Sequence, residues 1–477
     1  MATLAPSSAD DVLIGEAPSS PAGPLAADDR RPIALPPAIR LPRALQTLRF
    51  SVRQIEFVFA ARRQLGETFR VRGLYDGDAP LVMTSHPDHV KSLFTARADD
   101  APSLTGESPL RPIVGPNSVL TAVGPRHMRQ RKLLLPPFHG EAVARYAAMI
   151  AEVADREIDA WPVGEPIRLA PRMQAITLDV IMAGIFGIEG LPAKGTPERS
   201  LREAIRWGVA LSVRPEAQFF ELLNIDREEP AGPLKRLLAR LDRYIYAVID
   251  ARRAADDAAE RTDILSLLLR TTTEDGTPLT DRELRDELVT LVLAGHETTA
   301  NSLAWAFERL VRTPAAYDRL RDVARSGGGE FADDDGWIEA TIHETMRSRP
   351  VIPVIGRRVM RPWQLGDYVL PAESEVLVSI LLLHHRADVY PDPFAFRPER
   401  FLGIRPGTYT WIPFGGGIRR CLGAALAMAE QRVVMRAIAR RTDLAPADRA
   451  PERARHRNVT MIPREGARVV VTAKRPA

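Results

Sequence analysis

The chain has 477 residues, room for one large domain or for two to four ordinary ones, and its 45% hydrophobic and 26% charged residues are a globular composition. A formal charge of +4 does not point to nucleic acid, because the basic residues are interleaved with Asp and Glu along most of the chain instead of clustering with aromatics. One cysteine, Cys421, excludes an intramolecular disulfide and any cysteine-rich zinc or iron–sulfur centre.

Met1 to about Asp29 is rich in Ala, Ser, Pro and Asp without a sustained apolar face, so a disordered tail is expected over residues 1–32, ahead of a domain over 33–477. No stretch approaches the ~20 apolar residues that span a bilayer, and the start lacks a basic segment leading into an apolar core. A cytoplasmic protein with no membrane anchor is expected. Thr68–Arg72 and Leu81–Thr84 are short β-rich runs around YDGDAP, the pattern of a hairpin. His86-Pro87-Asp88-His89 then opens a helix. His86/His89 and His384/His385 have no third ligand at a clear spacing, so surface or capping roles are expected for them.

From about 140 to 321 the pattern is mostly helical. Thr280-Asp281-Arg282-Glu283 reads as a capping box, and the helix it starts continues until Pro314 stops it. That is about 30 residues, roughly 45 Å at ~1.5 Å per residue. Apolar residues surround its middle from Leu288 to Ala294, so it crosses the core. After Pro350 the chain turns β-rich through VIPVIGRRVM, WQLGDYVL and SEVLVSILLL. A Pro-rich segment, a cysteine loop, a helix from Gly423 to about Arg441 and a hairpin-like piece from NVTMIP to ARVVVTA follow.

The cysteine loop reads Phe414-Gly-Gly-Gly417-Ile-Arg419-Arg-Cys421-Leu-Gly423. A glycine-rich turn entering a helix can lower a thiol pKa, since backbone N–H groups and the positive helix end favour the thiolate. Gly417 and Gly423 allow close backbone approach, and Phe414 can shield the sulfur. Neither a Gly-Lys-Ser/Thr nor a dinucleotide fingerprint is present, so a phosphate loop is a weak rival. The run resembles the haem-binding signature of cytochromes P450, Phe-x-x-Gly-x-Arg-x-Cys-x-Gly. Glu344-Thr-Met-Arg347 and Pro398-Glu399-Arg400-Phe401 follow the same family order, and the resemblance covers the chain from about Leu35 to the end.

The resemblance implies a mainly α fold with a smaller β region, and haem b between the long central helix and the Cys-loop helix with Cys421 as iron ligand. It implies a buried triad of Glu344, Arg347 and Arg400 that fixes the loop. Ala294-Gly295-His296-Glu297-Thr298 resembles the oxygen-activation motif. Gly295 is expected to leave room for O₂, Thr298 to bond a carbonyl one turn back and open the helix, and Glu297 to relay protons. His296 falls at the variable position. Propionate contacts are expected from His127, Arg131, Arg419 and Arg357, with Arg358 in place of Arg357 if the strand register shifts by one.

The implied reaction is insertion of one oxygen atom of O₂ into a lipophilic small molecule, with electrons from a separate ferredoxin or flavodoxin and its reductase; a monomer is expected. Arg129, Lys132, Arg420, Arg432 and Arg436 are expected to form its basic docking face. Substrate contacts are expected from Pro102 to Leu120, from Leu291 and Ala294, from Val351 to Val354 and Ile355, and from Val459-Thr460-Met461. Two alternatives remain: a peroxygenase or isomerase of the same fold, which the Glu297-Thr298 pair disfavours, and a non-catalytic haem- or ligand-binding protein, which needs no such pair.

Overall fold

The computed structural model describes residues 17–476 except 18, 27, 30, 73–78, 139–140, 189, 191, 213–223, 225–226, 228, 273–275, 328, 330–332 and 334–335. Residues 1–16 of the expected tail, and the turn of the expected hairpin, lie outside the described residues. The later part of the tail expectation is corrected. Ala22–Pro24 (β1) pairs antiparallel with Trp363–Leu365, and Ser20 N–H donates to Asp88 Oδ2 at 2.8 Å. The Ala-Gly-Pro triplet has no strand pattern of its own; a sheet edge formed much later in the chain supplies its partners.

Helix α1 (Arg43–Leu65) is interrupted at Arg53, whose φ of −138° and ψ of 53° are not helical. Its second half buries Gln54, Phe57, Val58 and Ala61, the stripe a surface helix turns to a core. The expected hairpin forms from β2 (Thr68–Val71) and β3 (Leu81–Thr84). Helix α2 (Pro87–Thr95) starts with His86 as N-cap, its Nδ1 accepting the Asp88 N–H at 3.2 Å, and Pro87 in the first turn. Of the other three paired histidines, His384 is the C-cap of the turn Ile380–Leu383, its N–H donating to the Ile380 carbonyl at 2.9 Å, and none is exposed. His89, His384 and His385 are buried. His89 Nδ1 bonds Thr84 Oγ1 at 2.8 Å, and His385 Nδ1 donates to the Leu381 carbonyl at 2.8 Å.

The helical middle comprises α3 (Arg111–Val114), α4 (Gly124–Leu134), α5 (Glu141–Asp159), α6 (Leu169–Phe186), α7 (Pro197–Ser212), α8 (Gly232–Arg253), α9 (Ile264–Arg270), α10 (Asp281–Leu310), α11 (Pro314–Arg325) and α12 (Trp337–Ser348), with β4 (Pro166–Arg168) before α6. Helix α10 is the 30-residue helix anticipated, and both halves of its capping box are made. From Ala300 to Phe307 its apolar side chains are buried. It lies along α6, whose Thr177 hydroxyl donates to the His296 carbonyl at 2.8 Å. Among the described residues α6 alone is long and apolar enough to cross a membrane, and most of it is buried as a core helix.

Strands β5 (Val354–Arg358), β6 (Trp363–Leu365), β7 (Tyr368–Leu370) and β8 (Glu375–Ser379) complete two sheets, ordered β2-β3-β8-β5 and β1-β6-β7. Only β3 and β8 are parallel within the first. The run SEVLVSILLL does not remain a strand. Ser379 Oγ accepts the Leu382 N–H and caps a single turn, α13 (Ile380–Leu383). Helix α14 (Ala424–Arg441) follows the cysteine loop. The terminal hairpin is also corrected: β11 (Thr460–Pro463) pairs with β10 (Ala454–Arg457), whereas β12 (Arg468–Lys474) joins β4 and β9 (Thr442–Pro446). Both runs are β-rich, and β propensity names no partner.

Buried imidazoles set a pH dependence. Burial holds His89 and His384 at about 3 and His343 at about 4, all below an unfolded value of 6.5. Between pH 6.5 and 4 these histidines therefore bind more protons in the unfolded chain, and the stability they contribute falls as pH drops through that window. Urea midpoints should decline between pH 6.5 and 4.5, with a shallower slope in His343→Phe; an unchanged slope would refute that share for His343.

Candidate active site

The cysteine loop is shaped by its own glycines and by α2. Gly415 and Gly417 adopt φ of +67° and +61°, and a Cβ on Gly416 or Gly417 would overlap Phe94. Phe94 is a partner no motif announces. The Cys421 N–H donates to the Phe414 carbonyl at 2.9 Å, and the Phe414 ring meets Trp411 edge-on at 6.1 Å. Cys421 is exposed, with enough protein around it to desolvate its thiol. Burial pushes its thiol upward, while a backbone hydrogen bond from Gly423 and the charges of Arg131 and Arg420 oppose that shift.

Below the loop, Glu344 and Arg347 of α12 are fully buried, with bonds of 2.6 Å (Nε to Oε2) and 2.8 Å (Nη2 to Oε1). Arg400 Nε lies 3.5 Å from Glu344 Oε1, so the three residues come together as the resemblance implied. Glu344 also accepts the Arg397 N–H at 2.8 Å, and Arg347 donates to the carbonyls of His384 and Pro393. The link continues: His384 Nε2 accepts the Ile412 N–H at 2.9 Å, two residues before Phe414. His384 thus holds the segment entering the loop, a role its sequence context did not suggest.

On α10, Thr298 Oγ donates to the Ala294 carbonyl at 2.7 Å, as expected for its spacing. The helix stays α-helical there, so the expected opening is not seen. Gly295 also differs from expectation: a Cβ there would overlap Ile181 of α6, so the glycine serves the close packing of two core helices. Ala294 is the exposed residue of this turn. Glu297 is tied to the C-terminal hairpin, its Oε1 accepting from Arg457 Nε and Thr460 Oγ1 at 3.0 Å each. No motif marks Arg457; 160 residues of chain separate it from Glu297. His296 is buried and held neutral at about 4, its environment set by burial.

The segments expected to contact substrate are brought together around α10. Asn117 N–H and Nδ2 donate to Asp286 Oδ2 at 3.1 and 2.8 Å, and Val119 N–H donates to Glu287 Oε2 at 3.1 Å. Met461 N–H donates to the Val351 carbonyl at 2.7 Å, and Trp305 Nε1 to the Met461 carbonyl at 3.2 Å. Leu291 is buried on α10, and Val354 and Ile355 are half-buried on β5. Thr460 is buried with its hydroxyl committed to Glu297.

Three of the four expected cationic or donor residues line one pocket. His127, Arg357 and Arg419 surround it with Phe94, Ser103 and Gly124. Arg357 is buried, and among the described residues neither it nor Arg419 pairs with a carboxylate. Burial lowers both guanidinium groups to about 10, and burial with these arginines and Arg131 holds His127 at about 4. The strand register is settled: Arg358 faces the other way and pairs with Glu107 and Glu375, each at 2.6 Å. Arg131 is absent from the lining and donates to the Arg420 carbonyl at 2.6 Å. The expected basic face is reduced as well. Arg129 and Arg432 pair with Glu283 and Glu339, each at 2.6 Å, and Arg436 is buried, which leaves Arg420 and Lys132 exposed.

These features fit a flat group carrying carboxylates. Buried cations without acidic partners need an anion. A Cβ on Gly423 would meet no protein atom within 4 Å, Cys421 is exposed, and Ala294 is exposed on a helix whose flanking turns are buried. Cysteine, open helix turn and cationic pocket are the arrangement that a haem held by a cysteine would need.

Comparison with known proteins gives the same class. Residues 36–471 match the family described as Cytochrome P450. Among similar relatives are the Putative cytochrome P450 135B1 of Mycobacterium tuberculosis, 37% identical over 93% of this chain and 92% of its own length, and the Putative cytochrome P450 138 of the same species, 37% identical over 92% and 96%. Solved structures with the same fold include retinoic acid-bound cyanobacterial CYP120A1, with TM-score 0.74, 21% identity and coverage of 93% of this chain and 100% of that one. The cytochrome P450DA haem domain gives TM-score 0.75, 22% identity and coverage of 94% and 99%. The chain belongs to the cytochrome P450 family and is a haem monooxygenase.

The helix contact at Gly295 is testable. Gly295→Ala should destabilise by roughly 1–3 kcal/mol through overpacking, and Ile181→Val should recover part of that in thermal unfolding. No recovery would return Gly295 to its expected role beside O₂.

Proposed function

We propose that the protein inserts one oxygen atom of O₂ into a lipophilic small molecule, hydroxylating or epoxidising it with electrons from a separate redox partner. The observation that carries this is one fold uniting the single cysteine Cys421, a cationic pocket without acids and an acid–threonine pair on α10. Cys421 is assigned to the haem b iron, and Arg357, Arg419 and His127 to the propionates, with Arg131 acting on the cysteine side. Bound there, haem supplies the redox chemistry of O₂ activation, and the thiolate ligand favours O–O cleavage.

The protein's own contributions are proton handling and substrate placement. With its hydroxyl hydrogen given to the Ala294 carbonyl, Thr298 has an oxygen that can accept a hydrogen bond from a proton-carrying water. Glu297 keeps 28% of its side chain exposed, so its carboxylate can exchange protons with solvent. Arg457 and Thr460 hold it, and delivery requires the carboxylate to turn from them. Leu291, Ala294, Val354 and Ile355 offer apolar surface, which favours a lipophilic substrate, and Thr460 is the nearby hydroxyl.

An acidic ferredoxin or flavodoxin fits the exposed Arg420 and Lys132 on the cysteine side. Two variants separate these steps. Glu297→Gln should lower kcat on the order of 10²-fold while stopped-flow reduction by the partner is unaltered. Arg420→Glu should slow that reduction and steepen its loss when Lys132→Glu is added; unchanged reduction in both would remove this face from docking.

The first experiment is the carbon monoxide difference spectrum of the reduced protein beside Cys421→Ser. A far-red Soret band, lost in the variant, is the expected outcome. A band typical of histidine ligation, or no haem, would overturn the assignment.

A further inference from the structure

We propose that the first half of α1 is a docking element for the surface of bilayers rich in anionic lipid. Between Asp29 and Glu56 the chain has six arginines, at positions 30, 31, 40, 43, 49 and 53, and no acidic residue. The break at Arg53 separates this half from the second, so the two turn different faces to the protein. Towards the protein the first half presents Gln46 and Phe50. Gln46 Nε2 donates to the carbonyls of Ile39 and Leu41 at 3.2 and 2.8 Å, and its Oε1 accepts the Arg72 N–H at 3.0 Å. The Phe50 ring meets Phe57 at 6.3 Å and His456 at 6.4 Å.

At 3.6 residues per turn, the opposite face carries Ala44, Leu48 and Val52 at i, i+4 and i+8. All three are exposed, Leu48 by 57% and Val52 by 69%. An outward helix face that served only water would be polar; this one is apolar. Arg40, Arg43 and Arg49 are exposed around the stripe, and among the described residues no carboxylate pairs with them.

The dimensions favour a bilayer over a protein. Three side chains fall far short of the ~800 Å² per partner that a stable protein interface buries. They do suit shallow insertion at the acyl boundary, where long arginine stems reach headgroup phosphates one by one. The geometry depends on neither haem nor substrate, and it would hold the protein where lipophilic compounds dissolve.

The test is flotation of the full chain, purified with its haem, on vesicles of equal parts phosphatidylcholine and phosphatidylglycerol, against phosphatidylcholine alone. Binding is expected on the mixed vesicles only and should weaken with salt. Arg40→Gln, Arg43→Gln and Arg49→Gln should each reduce partitioning about fivefold, and Leu48→Ser with Val52→Ser should abolish it, with the carbon monoxide spectrum unchanged as evidence of folding. No flotation of the parent chain, or equal flotation of parent and variants, would overturn the proposal. So would a concentration-dependent dimer that Leu48→Ser with Val52→Ser dissolves, since the stripe would then cover a second copy.

Discussion

The site depends on one buried ion pair. Glu344 and Arg347 are wholly removed from solvent, and an ion pair so placed is tolerable only when its remaining lone pairs and protons are also satisfied. Here they are: Arg347 reaches the carbonyls of His384, Pro393 and Ala395, and Glu344 takes the Arg397 N–H with Arg400 close by. Removing either partner would leave an uncompensated buried charge, a cost of about 3–5 kcal/mol. The segment before the cysteine loop is thus specified by charge satisfaction more than by its own backbone preferences. Through His384 Nε2 and the Ile412 N–H that constraint extends to the residues entering the loop.

Helix α10 plays the complementary part. Its middle must be apolar to cross the core, yet it carries Glu297 and Thr298, to which the proposed reaction assigns proton handling. Thr298 is satisfied inside the helix and Glu297 by Arg457 and Thr460, so neither polar group is stranded. Arg357 and Arg419 are the contrasting case. Their charge meets carbonyl oxygens and the Phe94 face but no carboxylate among the described residues. Buried cations of this kind make sense when an anionic group from outside the chain completes them.

Much of the site was legible because its residues carry local reasons for their spacing. The loop from Phe414 to Gly423, Glu344 with Arg347 one helical turn on, and Thr298 four residues after Ala294 are all decided within a few residues. The capping box at Thr280 and Glu283 is of the same kind, and it placed the start of α10 correctly. What escaped were pairings across the fold. Glu297 with Arg457, Gly295 against Ile181, and Phe94 beneath Gly416 and Gly417 join elements that no periodicity links. The same limit explains β1, whose Ala-Gly-Pro becomes a strand only because β6 is there to pair with it. It also explains β11 and β12, which form strands as expected but pair with other partners than each other.

The amino-acid sequence by itself determined the family, the single cysteine and the place of the long helix α10, since these rest on short-range spacing. Only the tertiary structure decided which face each residue turns to the interior. It sent Arg357 into the pocket and Arg358 to Glu107 and Glu375, buried Arg436, and left Leu48 and Val52 facing outward. The physical reason is that burial and pairing belong to neighbours in space, and two adjacent residues of one strand meet opposite environments although their sequence context is nearly the same.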